Sequence, residues 1–383
     1  MIKKYPIVSA PLKIFEIFKK DDFDLKETFK NLIGCEYLYF FNSATTSLFL
    51  ILEVLKEFSD KKEVIVPAYS ASSIIYAIKK ANLIPKLCDI SVEDFNFEIN
   101  DFLNSVSSKT LCVVLVYLFG VTTERILTLK NSSLNIYFIE DCAQALGSKI
   151  NEKFVGANFD FSIFSFNKGK NTPTYNGGAV GFNSKDFALA IDKKIVKQNL
   201  KTKNEFISLI EIIFLYFCVN PYIYGFFYPL ISKLKEKTYS KDFKIEGYDK
   251  IKLKLFFYFV KNLEDLSKRR YLNGKYILDN LKDYQNIILP KISNNSKPAF
   301  NRFPIIFKEL KTLDKIKKAL ENNGFETSRM YQKPLHWVFD LGYKKDDFKC
   351  ANFLAEHILT IPVHPLLKEK DLFKMVEVIK KNL

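Results

Sequence analysis

The stretch Ser165–Val180 reads SFNKGKNTPTYNGGAV. Lys168 and Lys170 flank Gly169, and the pair Gly177–Gly178 follows. One apolar run, FDFSIFSF (159–166), enters this stretch and another, GGAVGF (177–182), leaves it, so both lysines sit on a loop between two strands. A P-loop is excluded: Gly169–Lys170 is followed by Asn171, and the upstream glycine of GxxxxGK[ST] is missing. A lysine placed just after a strand and a Ser-Phe pair suits a different role, an amine that condenses with an aldehyde cofactor.

Upstream of this loop, from residue 36, strand-like runs alternate with helical patterns. YLYFF (37–41) precedes a helix over about 45–58, and EVIVPAYS (63–70) precedes one ending near Ala81. PKLCDI (85–90), TLCVVLVY (110–117) and NIYFIE (135–140) follow. These runs are apolar throughout instead of alternating, as expected when helices cover both faces of a mainly parallel sheet. Downstream of residue 184 the pattern turns helical, with one long amphipathic stretch over 250–282. Short strands (FPIIF, 303–307; LTIPV, 359–363) then mix with helices over 313–323 and 369–382. The expected organisation is a large α/β domain over 1–250 and a smaller α/β domain over 251–383.

A hydrophobic fraction of 48% with 26% charged residues describes a globular chain and argues against disorder. The net charge of +15 is almost all lysine and spread along the chain, without the dense basic block of a nucleic-acid groove. Anionic small molecules or an acidic membrane surface fit that charge better. Cys35, Cys88, Cys112, Cys142, Cys218 and Cys350 form no CxxC pair, which points to a reducing cytoplasm and to neither disulfides nor a zinc site. The start, MIKKYPIVSAPLKIFEIFKKDDFD, lacks the sustained apolar region of a signal peptide.

One segment stands apart. IIFLYFCVNPYIYGFFYPLI (212–231) carries no charge for twenty residues, yet Asn220–Pro221 interrupts it and four tyrosines are spread through it. It reads as a buried helical hairpin or dimer surface, as a membrane-surface anchor, or as a span. The tyrosines and the flanking Lys201, Lys203, Lys233, Lys235 and Lys237 suit an interfacial place for 206–231.

Two further motifs bear on chemistry. In FNSATTSL (41–48), a strand gives way to small hydroxylated residues opening a helix, with Ser43 as N-cap; such an opening offers N–H groups to an anion. In IEDCAQALGS (139–148), Asp141 falls at the carboxyl end of a strand, where open α/β sheets bind ligands. The three motifs occur in the order found in fold-type I pyridoxal-phosphate enzymes. FNSATTSL resembles the SGTxAL segment of the DegT/DnrJ/StrS-type sugar aminotransferases, and IEDCAQALGS their EDxAQAxGA. EVIVPAYS…IPKLCDI, LVYLFG and FSFNKGKNTPTYNGGAV are similar to further blocks of that family, strongly over 36–183. The resemblance continues more loosely through GFETSRMYQKPLH (324–336) and LTIPVHP (359–365).

That resemblance implies pyridoxal 5'-phosphate as cofactor, Lys170 as the lysine that holds it, and Asp141 as the acid facing its pyridine nitrogen. It places Ala44, Thr45 and Ser165 at the phosphate and Gln144 near the ring hydroxyl. Tyr69 is the candidate for ring stacking, because Ala71 stands where the family often has an aromatic. His336 in KPLHW would contact substrate, while His364 reads as a turn residue and His357 as surface or packing. The chain departs from the family at Ala44 (usually glycine), at Asn176 (usually glutamate), and in having no GxNxRM-like segment between 235 and 260. In many relatives that segment lends an asparagine to the neighbouring subunit. The implied activity is amino transfer, with glutamate as donor, onto a nucleotide-linked keto sugar for polysaccharide or modified-sugar synthesis. The implied assembly is a homodimer, cytoplasmic or peripheral at the inner membrane face; a non-catalytic scaffold of the same fold is the alternative.

Overall fold

The computed structural model describes residues 3–18, 25–236 and 242–383. Seven strands form the main sheet: β1 (Tyr37–Phe41), β2 (Glu63–Pro67), β3 (Ile84–Cys88), β4 (Thr110–Val116), β5 (Tyr137–Asp141), β6 (Phe161–Ser165) and β7 (Gly178–Phe182). Their order is β1-β7-β6-β5-β4-β2-β3. The pairs among β2 to β6 are parallel, and only β7 runs against its neighbours β6 and β1. Every residue of β4, β6 and β7 is buried, which is why these runs contain no polar alternation.

Helix α1 (Ala44–Phe58) lies over β6 and β7. Ser43 begins it in extended conformation and its Oγ accepts from the Thr46 N–H at 3.1 Å. Helix α2 (Ser72–Lys80) follows β2, and α3 (Lys185–Gln198) packs against α1 after a Ser184 N-cap.

The uncharged segment forms two helices, α4 (Glu205–Val219) and α5 (Pro221–Glu236), whose axes differ by 113°. The bend falls at the Asn220–Pro221 step. Asn220 Oδ1 accepts from the Tyr222 N–H at 2.9 Å, and proline takes the first position of the new helix, where no in-helix N–H bond is lost. Among the described residues, no single helix is long and apolar enough to cross a membrane. Lys237 and the side chains of Lys233 and Lys235 lie outside the described residues.

The amphipathic stretch over 250–282 is two helices, α6 (Lys250–Lys261) and α7 (Leu263–Leu281). Asn262 separates them: its amide donates to the Tyr258 carbonyl at 2.6 Å, a local bond that competes with helix continuation. Beyond them, β8 (Ile287–Ile288), β9 (Phe303–Phe307) and β10 (Ile358–Ile361) form an antiparallel sheet, accompanied by α8 (Leu310–Asn322), α9 (Lys349–His357) and α10 (Glu369–Lys380). The N-terminal segment packs here: Tyr5 forms a parallel bridge with Phe325, and its ring stacks on Phe325 at 5.7 Å. A contiguous apolar core joins both sheets through residues such as Phe256, Phe300 and Phe303.

Candidate active site

Because β1, β2, β4, β5 and β6 run the same way, their carboxyl ends open on one edge of the sheet, while antiparallel β7 begins there. A cavity of about 230 Å³ occupies that edge. Asp141 ends β5, Ser165 ends β6, Gly177 precedes β7, and Ala44 and Thr45 begin α1 beyond β1; all five line the cavity with Gln144 and Lys170. The helix start is brought close by Gly178: a Cβ there would lie 2.3 Å from the Ala44 nitrogen, so no larger residue fits. This contact holds the first turn of α1, whose N–H groups lack in-helix acceptors, at the cavity wall.

The loop carrying Lys170 is tied down on both sides. Asn171 Nδ2 donates to the Leu146 and Ala299 carbonyls at 3.1 and 2.8 Å. Asn301 Nδ2 donates to the Gly169 carbonyl at 3.1 Å and to Asn171 Oδ1 at 3.2 Å. Lys168 leaves the cavity and sets its ammonium 5.3 Å from the centre of the Tyr175 ring. Burial pulls the Lys170 amine down to about 8; the Arg302 guanidinium pushes the same way, and Asp141 opposes. The amine therefore reaches its neutral form near pH 8, well below an ordinary lysine, and that is the form needed to attack an aldehyde or accept a proton. Burial raises the Asp141 carboxyl, against the Ala143 N–H, which it accepts at 2.9 Å, and against the Lys170 charge. The amine and carboxylate thus feel one another across the cavity.

Gln144 is held from both ends: Oε1 accepts from the Phe119 N–H at 3.0 Å, and Nε2 donates to the Tyr331 hydroxyl at 3.3 Å. Two of the sequence candidates lie off this lining. Tyr69 is fully buried, donates its hydroxyl to the Met330 carbonyl and meets the Tyr331 ring edge-on at 5.5 Å. Its hydroxyl is tethered to backbone, so it supports Tyr331 and leaves Ala71, Ser73 and Ile74 to form that wall. His336 is buried against Phe348 at 5.1 Å with Nε2 at 3.2 Å from the Lys345 carbonyl, outside the cavity. Its helix follows Pro334, where the Leu335 N–H bonds the Ala68 carbonyl at 2.8 Å, and that turn directs the ring away.

Tyr331, Asn167, Ser73 and Arg302 were not among the sequence candidates. Tyr331 lies inside the quoted GFETSRMYQKPLH block, and its φ of +50° is a strained conformation for an aromatic residue. Arg302 carried no signal: it precedes an ordinary buried strand, and only folding brings its charge to Lys170.

The residues fit pyridoxal phosphate: a desolvated amine, a buried carboxylate beside it, and a small-residue helix start closed by glycine. Lys170 would hold the aldehyde carbon, Asp141 the ring nitrogen, and the Ala44–Thr45 turn with Ser165 the phosphate. Such a fold and donor set fit a pyridoxal-phosphate enzyme of the α/β class. The DegT/DnrJ/EryC1/StrS aminotransferase family matches residues 20–204 and 258–380, and the chain belongs to that family. An uncharacterized protein of Methanocaldococcus jannaschii is 26% identical over 93% of this chain and 88% of its own length. The GDP-perosamine synthase of Escherichia coli O157:H7 is 35% identical over a shorter stretch, 39% of this chain and 41% of the synthase. Spr1654 of Streptococcus pneumoniae in its PMP form shares the fold at a TM-score of 0.77 and 19% identity, covering 99% of this chain and 97% of that one.

Proposed function

We propose that the protein transfers an amino group from glutamate to the keto group of a nucleotide-linked sugar. The observation that carries this reading is the shared cavity of Lys170 and Asp141 at the carboxyl edge of the sheet, in a chain of an aminotransferase family. GDP-perosamine synthase, similar over 39% of this chain, supports the choice of a nucleotide-linked substrate. When bound, pyridoxal phosphate supplies the electron sink that makes a carbon beside nitrogen acidic. Asp141 holds the proton at the ring nitrogen. Lys170 Nζ, with its amine drawn down to about 8, takes the proton from the substrate carbon and returns it on the far side of the transfer. Gln144 and Tyr331 fix the wall opposite. Amino donor and keto sugar use the site in turn, so the kinetics are ping-pong. A homodimer and a cytoplasmic place, peripheral at the inner membrane face through 206–231, belong to the same reading.

The test is amino transfer from glutamate to a panel of nucleotide-linked keto sugars, with the product read by mass spectrometry. Lys170→Ala should lose the visible absorbance of lysine-bound cofactor and at least about 10³-fold of the turnover. Wild-type protein that takes up no cofactor, or takes it up and moves no amino group to any sugar, ends this proposal.

A further inference from the structure

The family match stops at residue 204 and resumes at 258, and the interval between holds α4 and α5. The inner face of this helix pair is tied to the rest of the molecule by polar contacts. Ser208 donates to Asp249 at 2.9 Å, Glu211 pairs with the buried Lys252 at 2.6 Å, and the Tyr224 hydroxyl donates to Glu326 at 2.8 Å. The pair is thus fixed in place, yet its outer face is apolar and open to water. Phe206 is 68% exposed, Phe226 69%, Leu230 59% and Ile210 50%. Phe15 and Phe18, on a short turn whose Ile17 packs with Ile212 and Leu215, are exposed as well. Leaving so many large apolar side chains in water is costly relative to burial.

Behind the pair lies a second cavity of about 470 Å³. Its walls are Phe214, Leu215, Val219 and Ile231 of the helices and Ile7 and Val8 of the N-terminal segment. Lys168 and Gly169, the residues just before Lys170, also line it, as does Glu326. A second copy of this chain is the other way to cover the outer face. A flexible hydrocarbon chain can fill the cavity while its parent layer covers the outside. Charge selects the layer: residues 212–231 contain no acid, lysines flank them in sequence, and the chain carries +15 overall. The 113° bend divides the apolar run into two helices, and two helices meeting at that angle can both lie in one plane.

We propose that α4 and α5 seat in the surface of an anionic bilayer, and that the cavity behind them receives an acyl chain of a lipid in that bilayer. This rests on the peripheral placement in the functional reading above and gives it a binding site. The enzyme then works at the membrane plane, with the lipid chain in a cavity that the loop of Lys170 helps to line.

The experiment is flotation of the cofactor-loaded full chain with vesicles of phosphatidylcholine and phosphatidylglycerol, and with phosphatidylcholine alone. Wild-type protein should float with the anionic vesicles. Joint Phe206→Ser, Phe226→Ser and Leu230→Ser should weaken flotation at least about tenfold without changing cofactor absorbance. Phosphatidylglycerol bearing a photoreactive acyl chain should label residues 6–10 from inside the cavity. Val219→Trp, which narrows the cavity, should cut that label about tenfold while flotation stays. Wild-type protein that stays with neither vesicle overturns the proposal; if the triple variant then also turns dimers into monomers, the face is an interface between copies. Flotation with label confined to the outer helix faces overturns the cavity assignment. Flotation and labelling need no amino transfer, so failure of the transferase assay strikes the functional reading and leaves these results standing.

Discussion

The lysine cavity and the α4–α5 pair lie on either side of one loop and are built on opposite terms. In the cavity, charged groups are withdrawn from water: Asp141 is buried, and Lys170 is desolvated enough to bring its amine to about 8. On the helix pair, apolar groups are left in water, with Phe226 at 69% exposure. Each arrangement is costly in the isolated chain and becomes sensible with a ligand: an aldehyde and ring nitrogen for the first, a hydrocarbon layer for the second. An unfavourable environment held rigidly in place is therefore informative about what the protein meets.

The contrast can be broken most severely at Asp141. Asp141→Asn removes the carboxylate that the proposal assigns to the ring nitrogen and should lower kcat by about 10²–10⁴-fold with the fold intact, read by steady-state kinetics and circular dichroism. A near-normal kcat would show that the buried carboxylate is only a structural partner of the Ala143 N–H. The next effect is on stability and compares two phenylalanines. Phe256 is fully buried, 4.0 Å from the Phe166 ring, and Phe256→Ala should cost about 3–5 kcal/mol in denaturant unfolding. Phe226→Ser on the outer face should shift stability by no more than about 0.5 kcal/mol in the same measurement. Equal losses would mean that the outer face is covered in the free protein.

A subtler test sharpens the electrostatic half. Cofactor uptake by the apo protein needs the neutral amine, so its rate should rise as pH increases through about 8 and level off above. Arg302 lowers the Lys170 pKa. Arg302→Gln should therefore move that midpoint upward, and Asp141→Asn should move it downward. Stopped-flow absorbance across pH measures both; an unmoved midpoint in both variants would remove these charges from the account.

Much of the architecture was legible because its signals are local. Fully apolar runs such as TLCVVLV announce strands covered on both sides, and Ser43 announces a helix start. Asp141 stood out as a candidate because it falls at the end of a parallel strand, whereas Lys170 was singled out from Lys168 only by the family resemblance. The amphipathic pattern over 250–282 was legible as helix but not as two helices, because the break depends on one side-chain amide at Asn262. Tyr69 and His336 show the other limit. Both sit in the right motifs, but the direction of a ring is decided by distant contacts, with Met330 for one and Lys345 for the other.

The sequence by itself determined the strand and helix alternation, the lysine loop, the acid at the end of β5 and the break at Asn220–Pro221, all of which follow from neighbouring residues and backbone chemistry. The tertiary structure alone decided that Arg302 acts on Lys170, that Tyr331 closes the cavity, and which face of α4 and α5 stays in water. These depend on packing between segments far apart in the chain, and on desolvation, which no local pattern encodes.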